Sequence, residues 1–338
     1  MSERPDILKI ESLRIGYGNF RKRRILLPPL TASAYRGELV AVVGLNGIGK
    51  STLLRSITGL QPSFGGSVLI DGRDIKEFPR LDLAKQLGYI STEIVRASNM
   101  TVHDLVALGR FPHTNWIGKI DETSREKIED AIFRTGISSL SRRYVAELSD
   151  GERQRAMIAR VLAQDAGIMV MDEPTAFLDI SNKHEILNLM LNLVREGRTI
   201  IFSTHDLNTA LHQADRIWLI LNEGLTEGAP EDLILSGSMS RLFDSSKASF
   251  NLQDGSFSFS DEIRGSVGVQ GSGIVKTWTE KAVRRAGYCV SSGTSEPYIL
   301  TPETGSDRWV LVVKSSKMEF RTLYELVRYL GKTGPAVT

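Results

Sequence analysis

The chain has 338 residues, 41% hydrophobic and 24% charged, with 42 Lys+Arg against 40 Asp+Glu for a formal net charge of +2 and a mean hydropathy of −0.12. At roughly 150 residues per domain this makes about two domains with packed cores, which excludes a peptide hormone, a disulfide mini-scaffold and a disordered polyelectrolyte. The near-neutral balance gives no bulk attraction to nucleic acid or anionic lipid, so no nucleic-acid partner is expected. Residues 1–6 are charged and lack an apolar leader segment, and no uncharged apolar run reaches 18 residues, so neither export nor membrane spanning is expected. The single cysteine, Cys289, cannot close an internal disulfide and is expected as a small buried hydrophobe in a reducing compartment.

From residue 7 to about 235, short apolar strand-like runs alternate with longer helical stretches, the pattern of an α/β domain with a largely parallel sheet. Runs 39–43, 168–171 and 199–203 are apolar at nearly every position, as strands buried on both faces are. Residues 101–144 read mainly helical, with polar loops at 114–123 and 138–141, so a helical subdomain is expected over about 100–160. After Ser181, the residues Ile186, Leu187, Met190, Leu191 and Val194 form a core-facing helical stripe. Beyond 235 the composition shifts to Ser and Gly: 236–249 reads as a linker, and similar residues recur at 265–273. A first domain over 1–243 and a small α+β domain over 244–338 are therefore expected. In the second, Phe250, Leu252, Phe257 and Phe259 alternate around Asp254-Gly255, a hairpin signal. Helix-like 275–286 and 320–330 flank strand-like 288–291, 298–300 and 309–314, with Trp278, Trp309, Phe320 and Tyr324 expected in the core.

The chemistry lies in the first domain. Gly44-Leu45-Asn46-Gly47-Ile48-Gly49-Lys50-Ser51-Thr52 follows an apolar strand and opens a helix, the setting a phosphate loop requires. Its small residues let backbone N–H groups converge on phosphate oxygens, and the helix N-terminus adds positive potential. Gly44, Asn46, Gly47, Gly49, Lys50, Ser51 and Thr52 are the candidate nucleotide contacts, with Lys50 as a point charge and Ser51 on Mg²⁺. The run 168–171 ends in Asp172-Glu173, which a parallel sheet would present at the same crevice. Asp172 can then hold Mg²⁺, and Glu173 can orient or deprotonate the attacking water.

Leu148-Ser149-Asp150-Gly151-Glu152-Arg153-Gln154 resembles the LSGGQ signature of ATP-binding cassette (ABC) ATPases, with Asp150 and Glu152 replacing the usual third and fifth residues. Ser149 with Glu152 also fits a capping box. The resemblance continues through Asp172-Glu173, Ala176-Phe177-Leu178-Asp179 as the D-loop, and His205 as the switch histidine. It implies a phosphate-loop ABC fold spanning about residues 7–235, with ATP and Mg²⁺ as cofactors. It also implies that Glu173, His205 and Lys50 are catalytic, that Tyr17 stacks on adenine, and that Asp179 belongs to the nucleotide site. Ser149, Gly151 and Glu152 would meet the nucleotide of a second copy. The family's Gln after the strand 87–90 is absent: either Thr92 or Glu93 fills its place, Glu93 being the candidate metal ligand. Residues 106–114 resemble the segment of importer ATPases for iron(III) siderophores, haem and cobalamin. That implies a separate transmembrane permease, indirectly a substrate-binding protein, and a cytoplasmic ATPase peripheral on the inner face of the membrane. The alternative is a soluble ABC ATPase that acts as a nucleotide-dependent regulatory protein without a permease.

Overall fold

In the computed structural model the described residues are 6–19, 22–91, 99–114, 120–243, 248–250, 257–259, 264–291, 297–302, 308–314 and 316–333. The chain divides into two compact units, Met1–Leu242 and Phe243–Thr338. The first runs β1 (Asp6–Leu13), β2 (Gly16–Asn19), β3 (Lys22–Ile25), β4 (Leu30–Tyr35), β5 (Leu39–Gly44), α1 (Lys50–Ile57), β6 (Ser67–Ile70), β7 (Arg73–Asp74), α2 (Arg80–Gln86) and β8 (Leu87–Ile90). It continues through α3 (Val102–Ala107), α4 (Glu122–Arg134), α5 (Asp150–Ala163), β9 (Ile168–Met171), α6 (Ile180–Arg195), β10 (Thr199–Ser203), α7 (Leu207–Gln213), β11 (Arg216–Leu221), β12 (Gly224–Gly228) and α8 (Pro230–Leu235).

Six strands form one sheet in the order β12-β11-β5-β10-β9-β8, parallel except for the edge strand β12. Strands β5, β9 and β10 are buried at every position because both faces of the sheet are covered. A second, antiparallel sheet, β4-β1-β6-β7, was not distinguished by the apolar-run pattern. Its strand β1 mixes buried and exposed positions, and its Leu8, Ile10 and Leu13 join one core with Val40, Val42 and Trp218 of the parallel sheet. In α6 the inward residues are Ile186, Leu187, Met190 and Leu193 rather than Leu191 and Val194, the phase a 3.6-residue turn dictates.

Helices α3, α4 and α5 pack together as the helical subdomain. Segment 106–114 closes it. The buried Arg110 donates from Nε to Ser124 Oγ (3.2 Å) and from Nη1 to Ala163 O (2.9 Å), placing a cation on the last carbonyls of α5. His113 Nε2 bonds Gln164 O at 2.9 Å. Gly109 is required there, since a Cβ would overlap the Arg160 carbonyl. The expected linker 236–249 is structured at its start: 239–243 forms a 3-10 turn that buries Met239 and Leu242.

The second unit runs β13 (Ala248–Phe250), β14 (Phe257–Phe259), β15 (Gly265–Gln270), α9 (Gly273–Arg285), β16 (Tyr288–Ser291), β17 (Tyr298–Leu300), β18 (Trp309–Val313), β19 (Ser316–Phe320) and α10 (Leu323–Thr333). Strands β13 and β14 pair antiparallel, while the Asp254-Gly255 turn and Leu252 lie outside the described residues. The main sheet, β16-β15-β17-β18-β19, is parallel over its first three strands and antiparallel beyond. Its core is Val267, Val269, Val283, Tyr288, Ile299, Leu311, Leu326 and Leu330. Trp309 and Phe320 pack on that core, but Trp278 and Tyr324 are 57% and 70% exposed. Phe320 ends a strand instead of opening a helix. Cys289 is exposed on the edge strand β16, not buried.

Candidate active site

β5 delivers its last residue, Gly44, to the carboxyl edge of the parallel sheet, and the chain turns through Gly47 (φ 76°) and Gly49 (φ 118°) into α1. Gly49 is the left-handed N-cap and provides no side-chain cap, so the first N–H groups of α1 remain open to an anion. A Cβ on Gly44 would come within 2.8 Å of Ile220 O. The loop thus needs glycine for both conformation and space. Lys50 is buried, and its ammonium donates to Gly44 O (2.9 Å) and Leu45 O (3.2 Å), 3.5 Å from His205 Nδ1. Burial holds its pKa below the usual lysine value, with Glu173 and Asp172 partly opposing. Asn46 and Gly47 are exposed at the loop tip.

Asp172 and Glu173 leave β9 beside this loop. Asp172 is only 2% exposed, and its Oδ1 accepts from Ser51 Oγ (3.0 Å) and Ser203 Oγ (2.7 Å). The Glu173 N–H in turn donates to Ser203 Oγ (2.9 Å). Glu173 sits at φ 48°, a strained setting for a non-glycine residue and one typical of functional positions. Its Oε1 lies 2.5 Å from His205 Nε2. Lys50, Ser51, Asp172, Glu173 and His205 are therefore one cluster. Ser203, which holds the Asp172 carboxylate and the Glu173 backbone, was not singled out from the sequence; a hydroxyl ending the otherwise apolar run 199–203 was the available signal.

Tyr17 projects from the β2-β3 hairpin, 53% exposed, with its hydroxyl 2.6 Å from Thr52 Oγ1. Gln61 Nε2 donates to Gly16 O (2.6 Å), tying the hairpin to the chain beyond α1. Ring and loop are thus held together. Thr92 and Glu93 lie outside the described residues.

A second cluster forms at the N-terminus of α5. Ser149 and Glu152 make the reciprocal capping box, Glu152 N–H to Ser149 Oγ at 3.3 Å and Ser149 N–H to Glu152 Oε2 at 2.8 Å. The Ser149 N–H holds the Glu152 carboxyl below its usual pKa. Gly151 faces Asn182, whose Oδ1 would be 2.5 Å from a Cβ at that position. Asn182 is bound to Asp179, the N-cap of α6, by its N–H (2.8 Å) and its Nδ2 (2.9 Å), which lowers the Asp179 pKa. Asn182 is a second residue that sequence reasoning missed. Among the described residues, Ser149, Gly151, Glu152 and Asp179 make no hydrogen bond to the Lys50 cluster. Beside Asp179, Phe177 (φ 62°) is 93% exposed and Ile180 79% exposed.

The donors fit a magnesium ion. Ser51 and Asp172 are hard oxygen ligands, and among the described residues no group of three or more His, Cys, Asp or Glu forms a protein-only cage. Mg²⁺ beside phosphate takes one or two protein oxygens and completes its shell with phosphate and water. Among the described residues no helix is long and apolar enough to cross a membrane.

Residues 27–176 match the family described as ABC transporter, and residues 264–331 match the iron ABC transporter C-terminal domain. The chain is 36% identical over 246 residues to the ferric enterobactin transport ATP-binding protein of Escherichia coli, covering 72% of this chain and 89% of that protein. It is 38% identical over 204 residues to the iron(3+)-hydroxamate import ATP-binding protein of Bacillus subtilis, covering 60% of this chain and 74% of that protein. A nucleotide-free ATP-binding cassette from an ABC transporter superposes with a TM-score of 0.60 at 27% identity, covering 68% of this chain and 94% of that one. A cassette of Clostridium perfringens, part of an ABC transporter complex, gives 0.60 at 28% identity, covering 70% and 94%.

Proposed function

The chain belongs to the ATP-binding cassette transport ATPases, and from that premise we propose that it powers uptake of an iron(III)-siderophore complex through a separate membrane permease, working as two copies. The observation that carries this reading is the convergence of Lys50, Ser51, Asp172, Glu173 and His205 at the carboxyl ends of β5, β9 and β10. Haem and cobalamin are the other cargoes to test. The named substrates of the relatives favour siderophores.

In this mechanism Lys50 exchanges its loop carbonyls for phosphate oxygens, and the open N–H groups of α1 hold the β- and γ-phosphates. Tyr17, placed by Thr52, offers a face to adenine. Ser51 and Asp172 would hold Mg²⁺, which when bound neutralises charge on the phosphates. Glu173 orients the attacking water and accepts its proton, and His205, within hydrogen-bond reach of Glu173, contacts the γ-phosphate. Because the α5 cluster stands apart from the Lys50 cluster within one chain, Ser149 and Gly151 serve the nucleotide of the second copy. The exposed Phe177 and Ile180 beside Asp179 are the apolar seam such a pairing would cover. For the permease, a cleft of about 440 Å³ lined by Leu60, Arg80, Leu83, Leu87, Tyr89 and Gln164 lies between α2, the start of β8 and the chain just beyond α5. We assign docking to this cleft.

The test is affinity capture from detergent-solubilised native membranes, with ATPase activity measured against Glu173→Gln. A polytopic partner with Glu173-dependent hydrolysis, stimulated on reconstitution by an iron-siderophore but not by haem or cobalamin, is the expected result. Active protein that reproducibly captures no membrane protein would overturn the importer reading in favour of a soluble regulator.

A further inference from the structure

The first turn of α6 touches both clusters of the first unit. Ile186, Leu187, Met190 and Leu193 bury one face of this helix, so its N-terminal turn is a fixed point in a close-packed interior. Asn182 and Lys183 are neighbours there, about 100° apart around the helix, and they reach in different directions.

Asn182 reaches α5. Its Oδ1 accepts from Arg155 Nη1 (3.4 Å), its Nδ2 donates to Asp179 Oδ2 (2.9 Å), and its side chain fills the space beside Gly151. Arg155 is also paired with Glu185, further along α6. The terminus of α5 and the loop ending in Asp179 are thus tied to one residue.

Lys183 reaches the chain around His205. Its ammonium donates to Asp206 Oδ2, and the two side chains are 29% and 28% exposed, so solvent screens the pair incompletely. Asp206 caps α7, accepting from the Thr209 N–H (3.2 Å) and the Thr209 hydroxyl (2.9 Å). On the other side of His205, the Thr204 N–H donates to Val42 O (3.2 Å), and the Thr204 hydroxyl accepts from the Asp206 N–H (3.0 Å). His205 therefore sits between one residue pinned to β5 and another pinned to α6.

We propose that Asn182 and Lys183 are positioning residues, which make the first turn of α6 a strut between His205 and the N-terminus of α5. The inference rests on the two-copy ATPase reading above, in which His205 meets the nucleotide of its own chain while Ser149 and Gly151 meet that of the second copy. A shift of His205 toward γ-phosphate then reaches Asp179 and Gly151 through α6. Occupancy of one nucleotide site thereby sets the geometry that closes the other.

The test is steady-state ATPase kinetics on full-length protein, with equilibrium ATP binding measured on the same substitutions in the Glu173→Gln chain, dilute enough to be monomeric. Lys183→Met keeps the stem, removes the charge and leaves the α7 cap in place. It is expected to lower kcat about tenfold while ATP affinity stays within about threefold. Lys183→Arg restores the ion pair and is expected to recover about half or more of the wild-type kcat. Asn182→Ala keeps the α6 cap, because Asp179 accepts from the backbone N–H, and is expected to match Lys183→Met. Glu185→Gln removes the α5–α6 charge pair but still accepts from Arg155, and is expected to leave kcat unchanged. A strut fails wherever it is cut, so the double variant Lys183→Met/Asn182→Ala is expected within about twofold of the slower single variant, whereas independent roles would multiply to about a hundredfold. Wild-type kcat in either single variant, no recovery in Lys183→Arg, an equal loss in Glu185→Gln, kcat and ATP affinity falling together, or multiplied losses overturns the strut. Failure of the ATPase reading registers separately, as no Glu173-dependent hydrolysis by the wild-type chain.

Discussion

Ser203 illustrates how one hydroxyl can hold both a carboxylate and the backbone of the residue after it. It donates to Asp172 and accepts the Glu173 N–H, so its removal leaves a buried acceptor and a backbone donor each short of a partner. Ser203→Ala is expected to cost about 1–3 kcal/mol of stability. It is also expected to lower kcat about tenfold or more while KM for ATP stays within about threefold, because Lys50 and the loop are untouched. Steady-state kinetics checks this, and an unchanged kcat would remove Ser203 from the positioning role. Glu173→Gln keeps the shape and the Ser203 contact but removes the base. Hydrolysis is expected to fall by about a hundredfold or more with ATP binding retained, measured by single-turnover assay and equilibrium binding.

At the scale of elements, α5 carries both a structural and a functional demand at its N-terminus. Ser149→Ala removes one half of the capping box and is expected to destabilise the helix by about 1 kcal/mol. Glu152 supplies the other half as a carboxylate whose folded pKa is depressed, chiefly by the Ser149 N–H. That contribution is therefore full above the usual glutamate value of about 4.5 and is lost as pH falls through the lower folded value. Amide exchange in 149–153, corrected for its intrinsic pH dependence, is expected to rise on acidification below that point. Glu152→Gln should abolish this step. The elements differ in how far the sequence revealed them. The buried strands β5, β9 and β10 were legible because burial on both faces leaves a continuous apolar run. β15, with its glycines, resembled a linker, and the charged β19 hid a strand because only its partner's register defines it. Trp278 and Tyr324 were assigned to the core on type alone, whereas the helices α9 and α10 leave them outside. In the site, Gly44–Thr52 and Asp172-Glu173 were legible because phosphate chemistry fixes residue types at fixed spacing. Ser203 and Asn182 act across elements, and nothing in their local sequence marks their partners.

For the whole molecule, the separation of the two clusters sets the stoichiometry. One chain presents a phosphate loop and, elsewhere, the open end of α5, so a complete site on the proposed reading needs two copies related by a two-fold axis. Phe177, almost fully exposed at positive φ beside the α6 N-cap, is the residue that pairing would bury. Its substitution by aspartate suits the left-handed backbone and removes no internal contact, so the fold should stand. Burial of a phenylalanine contributes about 2 kcal/mol, and an isologous interface uses it twice. In the Glu173→Gln background with ATP, sedimentation is expected to find a dimer, and adding Phe177→Asp is expected to weaken it by roughly a thousandfold. Wild-type dimer strength in the Phe177→Asp chain would place the seam elsewhere on the first unit. Loss of the dimer with Lys50-dependent ATP binding intact would instead tie hydrolysis to assembly, because each nucleotide would then lack the α5 terminus of its opposite copy.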